Sequence, residues 1–389
     1  MANVPAERRR QLRAYGVERG TGELTSSTTP RPLLDLASND YLGLSRHPAV
    51  RAAAAAELES TGLGAGASRL VSGSRPVHIA LEQALARWLG REKALLFPSG
   101  FQANLAAVAA LADRHTLVLA DRLIHHSLLA GVRACGARLQ RFRHNDNAEL
   151  EGRLSAARRE QPARRLLVLS ESLFSMEGTS PDLPVLAGIC ARHGAALLLD
   201  EAHALGVLGR GGRGLAWQEH IPAAETDTRP ALISGTFGKA FGSGGAFLAG
   251  DALVIDWLLQ HSGPFRYTTA LAPPLAAGAL AALHTLQKHE RHGDEPGAVL
   301  LQRAHRWRNA LETAGWPRPP GEGPILPLLV GDDSRALELQ QHLEQAGLLS
   351  VAIRPPTVPP GTARLRLVLR HDLPKGSLER LLQALDSAP

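Results

Sequence analysis

The sequence predicts an α/β protein: a mainly parallel sheet covered by helices in the middle of the chain, followed by a smaller α+β C-terminal domain. Three observations carry this. From about residue 76, short apolar runs of strand length alternate with helix-patterned segments. Most of those runs are apolar, as strands covered on both faces require. After about residue 275, long helical patterns give way to a mixed order of strands and helices. At 389 residues, 44% of them hydrophobic, the chain can bury a sizeable core and is too apolar for disorder.

The alanine run at 52–56 reads as helix between Arg51 and Glu57. Pro76 to Leu89 puts Val77, Leu81, Leu85 and Trp88 on one helical face and closes on Gly90. Ala94 to Phe97 is a buried strand, Phe101 to Ala112 a helix, Leu117 to Leu119 a strand, His125 to Ala134 a helix and Leu139 to Phe142 a strand. Arg165 to Leu169, Val185 to Arg192 and Ala195 to Leu199 continue the alternation, and Ala231 to Ile233 and Ala246 to Leu248 add two strands. Beyond them come helices Leu275 to His289 and Ala298 to Ala314, strand Ile325 to Val330, helix Arg335 to Ala346, strands Ser350 to Arg354 and Arg364 to Leu369, and a last helix from Leu378 to Leu385. The expected division is an N-terminal segment 1–45, a large α/β domain 46–275 and a small α+β domain 276–389.

Composition removes several function classes. Two cysteines, Cys135 and Cys190, exclude a disulfide scaffold and a cysteine-based zinc site. The net charge of +6 invites nucleic acid, but the arginines are dispersed among 37 acids and aromatics make up only 4%. Small anionic substrates are the better use of the basic excess. The N-terminus has no apolar h-region after its charges, and no run of about 18 uncharged apolar residues occurs, so neither export nor a membrane is expected and the setting is cytoplasmic.

Five stretches carry chemistry. Ser234 to Gly245 lies between two strands and holds Lys239, one of only four lysines. Ala240 follows it, so the stretch is no P-loop. A lysine in an apolar, glycine-framed loop is a candidate Schiff-base former, because desolvation frees its amine. Asp200 ends the apolar run Leu197 to Leu199, with His203 three residues on. One Asp and one His make no metal site, and none is expected; a strand-end aspartate can instead pair with a protonated pyridine nitrogen. Phe97-Pro98-Ser99-Gly100-Phe101 joins a strand to a helix start, where free amides bind phosphate or Ser99 merely caps. Asp121 to Ser127 follows a strand end and offers His125 to a flat ring, or to solvent. Gly209 to Gly214 spells the dinucleotide fingerprint without its strand–helix context.

In combination, a phosphate cradle, a ring-stacking histidine, a strand-end aspartate and a late lysine resemble the α-oxoamine synthases, pyridoxal-phosphate enzymes of fold type I. The resemblance covers nearly the whole chain. It is carried also by Ser38 to Leu44, Gly64 to Gly73, Phe174 to Gly178 and Ala352 to Pro359, the runs at 68–73 and 353–359 being similar to the branch that serves biotin synthesis. It implies that Lys239 holds pyridoxal phosphate, that His125 stacks on its ring, that Asp200 pairs with the ring nitrogen and that His203 bonds the ring oxygen. Gly100, Phe101 and Thr236 would take the phosphate, and Ser175 would be a cofactor-site hydroxyl. Arg354 would bind the amino-acid carboxylate, with Thr357 and Arg13 lining the acyl path and Arg8, Arg9 and Arg10 competing for the role of Arg13. A homodimer is implied, with Thr268 or Thr269 reaching the partner's phosphate. The implied reaction is the decarboxylative condensation of L-alanine with a pimeloyl thioester of CoA or acyl carrier protein. The alternatives are a sister enzyme joining glycine to acetyl- or succinyl-CoA and, more remotely, a non-catalytic basic nucleic-acid-binding protein.

Overall fold

The computed structural model describes residues 5–18, 23–26, 29–217 and 228–388. Seven strands form its main sheet: β1 (Lys93–Phe97), β2 (Leu117–Asp121), β3 (Arg138–Phe142), β4 (Leu166–Glu171), β5 (Ala196–Asp200), β6 (Leu232–Thr236) and β7 (Ala246–Gly250). Their spatial order is β1-β7-β6-β5-β4-β2-β3. Strands β2 to β6 pair parallel, and β7 runs antiparallel between β1 and β6.

Period-two alternation sends each strand's side chains to two cores. Leu117, Leu119, Leu197 and Leu199 pack with helices Asn147–Glu160 and Leu183–Arg192. Val118, Ala120 and Leu198 pack with helices Gly100–Leu111, His126–Cys135 and Ala252–His261. Each such fully buried Leu or Val contributes about 1.5–3 kcal/mol. The helices start on polar caps: Ser99, Asp146 and Asp182 each accept an amide three residues on.

The parallel register aligns the strand ends. Glu171 lies opposite Asp200, and Asp200 opposite Ser234. The start of β7 lies opposite both Thr236 and Phe97. The β6–β7 turn and the loop after β1 therefore stand at the same carboxyl edge, where open α/β sheets bind ligands.

The chain divides into two compact units, one of residues 42–174 and 180–297, the other of residues up to 41, 175–179 and 298–389. The expected boundaries at 45 and 275 fall elsewhere for two reasons. Helix Pro273–His292 stays with the larger unit, where it packs on helices Pro48–Thr61 and Pro76–Trp88. The N-terminal segment joins the smaller unit through strand Thr29–Asp35, whose Leu34 pairs in parallel with Leu348. The smaller unit also holds an antiparallel sheet of Ile325–Gly331, Ala363–Val368 and Val351–Ile353. Among the described residues no helix is long and apolar enough to cross a membrane.

Candidate active site

At the carboxyl edge a cavity of about 210 Å³ is lined by Gly100, Phe101, Asn104, His125, Glu171, Asp200, Ala202, His203, Ser234, Gly235, Thr236 and Lys239. Seven residues expected from the sequence meet there: Gly100, Phe101, His125, Asp200, His203, Thr236 and Lys239.

The β6–β7 turn places Lys239 by anchoring its neighbours. Phe237, Ala240 and Phe241 are buried, Phe237 stacking on Phe247 at 5.5 Å and Phe241 meeting Trp88 edge-on at 6.0 Å. Gly242 closes the turn at φ +61°, where a Cβ would stand 2.0 Å from the amide nitrogen of Ser45, so only glycine fits. Thr236 Oγ1 donates to the Gly245 carbonyl at 3.0 Å and accepts the Gly238 amide at 3.2 Å. Its side chain flanks the helix start, a Cβ on Gly100 falling 3.6 Å from Thr236 Cβ. Gly100 and Phe101 open the helix that Ser99 caps, so their amides precede its first intrahelical bond.

Asp200 is buried and held from two sides. Its Oδ1 accepts the Ala202 amide at 2.9 Å and its Oδ2 accepts Asn104 Nδ2 at 2.7 Å. His125 caps its own helix: Nδ1 accepts the Ser127 amide at 3.3 Å and lies 2.7 Å from Ser127 Oγ. Its amide donates to Glu171 Oε1. Desolvation by the cavity wall lowers the His125 pKa below the ordinary histidine value; Lys239 and His126 push it the same way, and Asp200 opposes them.

Next to this carboxylate, Glu201 is fully buried and accepts the amides of Ala216 at 2.7 Å and Leu215 at 3.2 Å. Burial raises its pKa to about 7 against the lowering effect of those amides. The glycine run at 209–214 thus serves as a tight loop over Glu201: a Cβ on Gly214 would lie 2.3 Å from Glu201 Oε2.

The other expected residues belong to the smaller unit. Ser175 gives its carbonyl to Arg366 Nε at 2.6 Å. Arg354 is largely buried, and its Nη1 donates to the Glu7 carbonyl; burial lowers its pKa. Exposed Thr357 donates its amide to the Arg354 carbonyl at 3.1 Å. Arg13 is engaged by both Glu344 oxygens, its Nη1 at 2.8 Å, and lies over Tyr15 at 5.6 Å. Arg8 pairs with Asp333 at 2.9 Å, and Arg10 donates to the carbonyls of Arg354 and Pro355 at 3.2 and 3.3 Å. Sequence reasoning missed Glu171 and Asn104. Glu171 ends a buried strand just as Asp200 does, so that signal was available; Asn104 is one polar residue in a helix and carries none.

The model of the family described as aminotransferase class I and II matches residues 31–385. An 8-amino-7-oxononanoate synthase of Acidithiobacillus ferrooxidans is 47% identical over 88% of this chain and 84% of its own length. The chain belongs to the 8-amino-7-oxononanoate synthase family. Its relative from Pseudomonas putida is 43% identical over 91% of this chain and 87% of its own. Among solved structures, a serine palmitoyltransferase of Sphingomonas wittichii superposes with TM-score 0.88 at 29% identity, covering 96% of this chain and 92% of its own. The 8-amino-7-oxononanoate synthase of Francisella tularensis superposes with TM-score 0.75 at 26% identity, covering 91% and 96%.

The family's cofactor is pyridoxal phosphate, and the residues present fit it. The helix start supplies anion-binding amides, Asp200 a carboxylate for a cationic ring nitrogen, and Lys239 an amine. Buried Asn104 keeps Oδ1 without a partner beside them.

Proposed function

We propose that this protein condenses L-alanine with a pimeloyl thioester, giving 8-amino-7-oxononanoate, carbon dioxide and the free thiol carrier for biotin synthesis. The observation that carries this reading is the meeting of Lys239, Asp200 and His125 at one sheet edge in a chain of this family. Pyridoxal phosphate, when bound, supplies an electron sink for negative charge at the α-carbon of the amino acid.

The protein's own residues do the rest. The amides of Gly100 and Phe101 bind the phosphate, with Thr236 and Ser175 assisting. Asp200 keeps a proton on the ring nitrogen, because a carboxylate there favours the cationic ring. The imidazole of His125 covers the ring face, and His203 bonds the ring oxygen. Lys239 would hold the cofactor through its amine and, once the amino group of alanine had displaced that amine, would take up and return the α-proton. Arg354 binds the alanine carboxylate, and Thr357 and Arg13 line the acyl path. The thioester carrier is CoA or acyl carrier protein, and the enzyme works in the cytoplasm.

A homodimer completes this reading. Leu70, Val71, Phe101 and Tyr267 are 50%, 79%, 47% and 81% exposed. Two bonds hold their segments side by side: Ala270 N to Ala67 O at 3.0 Å and Gln102 Nε2 to Pro264 O at 2.6 Å. An apolar patch that includes a cavity-lining residue suits a second copy. Thr268 or Thr269 then reaches the partner's phosphate.

Specificity constants for alanine and glycine, each with pimeloyl-, succinyl- and acetyl-CoA and with carbon dioxide release as readout, test the reaction. Alanine with pimeloyl-CoA should lead. A lead for glycine with succinyl- or acetyl-CoA would assign the chain to the sister reaction instead.

A further inference from the structure

Behind the cavity wall runs a directional chain of hydrogen bonds. Asn104, 2% exposed, spends Nδ2 on Asp200 Oδ2 at 2.7 Å and on Ser127 Oγ at 3.0 Å. Its orientation is fixed, because the flipped amide would set an oxygen against a carboxylate. Ser127 is fully buried. Its oxygen accepts from Asn104, so its hydroxyl proton is free for the next neighbour, His125 Nδ1 at 2.7 Å. The Ser127 amide also aims at Nδ1, at 3.3 Å. Two donors converge on one ring nitrogen, which therefore carries no proton. Among the described residues nothing bonds Nε2.

We propose that Asn104 and Ser127 are positioning residues that hold His125 as the neutral Nε2–H tautomer and tie it to Asp200. Asn104 thereby serves both groups assigned to the two sides of the cofactor ring: it orients the carboxylate for the ring nitrogen and, through Ser127, fixes the imidazole that covers the ring face. A neutral imidazole adds no second cation against a ring that must stay protonated. It also keeps one N–H for the cavity. If the Asn104 donor is lost, the Ser127 hydroxyl loses the bond that orients its proton toward Nδ1, and the neutral ring is held less firmly.

This rests on the reading of the site given above, and the test separates the two. Holoprotein and apoprotein are labelled with ¹⁵N-histidine, and the His125 signals are assigned by their loss in His125→Gln. The wild-type protein should show an unprotonated Nδ1 and a protonated Nε2 from pH 6 to 8. Ser127→Ala removes the hydroxyl without touching Asp200; Asn104→Leu removes both branches. Each weakens or removes the hydroxyl donor that favours the neutral ring, while the residue-127 amide stays aimed at Nδ1, so each should raise the His125 pKa and bring up the doubly protonated form at a higher pH than in the wild type. Each should lower kcat by about tenfold or more while alanine KM changes less than about threefold, since a positioning defect acts on the transition state. Only Asn104→Leu should also shift the pH dependence of the cofactor's visible absorption, because only it strips a donor from Asp200. Should Asn104→Leu fail to fold, Ser127→Ala with wild-type melting behaviour still decides. A protonated Nδ1 in the wild-type protein at neutral pH, or an unchanged His125 titration in Ser127→Ala, overturns the proposal. Absence of alanine–pimeloyl condensation in the wild-type protein with the tautomer pattern intact would instead reject the functional reading alone.

Discussion

At the scale of single residues, charge placed against charge is the main determinant. Asp200 is buried with one amide and one Asn donor, and on the proposed reading replacing it by Asn would leave the ring nitrogen without its carboxylate. Asp200→Asn should slow deuterium exchange into L-alanine by roughly two orders of magnitude, comparable to the loss of other preorganised charge partners; near-wild-type exchange would remove Asp200 from the mechanism. Lys239→Ala should abolish turnover and leave any bound cofactor unfixed by borohydride, whereas a trappable adduct on that variant would point to another lysine. The arginines can be sorted in the same way. Arg354 is largely buried and its Nη1 donates to the Glu7 carbonyl, so on the proposed reading Arg354→Ala should raise alanine KM by about 10- to 100-fold, the usual cost of a charged contact. Arg13 is engaged by Glu344 and Arg10 sits on the carbonyls of Arg354 and Pro355, so pimeloyl-CoA KM compared in Arg10→Ala and Arg13→Ala will show which guanidinium serves the acyl chain.

At the scale of elements, the segment from the end of β5 to residue 216 is organised by one buried acid. Glu201 has its pKa raised from 4.5 to about 7, chiefly by burial, so between those values the folded protein keeps a proton that the unfolded chain releases. Its contribution is complete below about 4.5 and is lost as pH rises through about 7, at about 1.4 kcal/mol per pH unit. Glu201→Gln removes this titration. The slope of unfolding free energy between pH 5 and pH 7 should become less negative by about that amount, as measured by urea melts at successive pH values. An unaltered slope would mean that Glu201 is ionised throughout.

At the scale of the whole molecule, the exposed apolar patch predicts assembly. Val71→Asp combined with Tyr267→Asp places two charges on it without touching the core. Sedimentation should then report a monomer with native helix content, with activity falling in step because Phe101 belongs to both patch and cavity. A dimer that survives both charges would place the interface elsewhere.

Much of the fold and of the site was legible because both are written in short contiguous patterns. The inner strands of the main sheet hold runs such as Leu197-Leu198-Leu199, whose burial on both faces favours apolar residues, while the edge strand Arg138–Phe142 buries only Phe142. Asp200, Lys239, His125 and Gly100 each follow such a run within a few residues, so strand order alone brings them to one edge. The N-terminal strands were not legible: Thr29–Asp35 carries two prolines and few apolar residues, and becomes a strand because residues 348 and 349 lie on one side of it and Leu24–Ser26 on the other. The hydrogen-bond chain was not legible either. Asn104 meets Ser127 across 23 positions and Asp200 across 96, and no local pattern encodes a contact at that separation. Short local patterns were enough to place the inner strands, the edge at which they end and the candidate site residues along it. Which polar side chains bond those residues emerges in three dimensions alone, because a hydrogen bond depends on distance and direction in space and not on position along the chain.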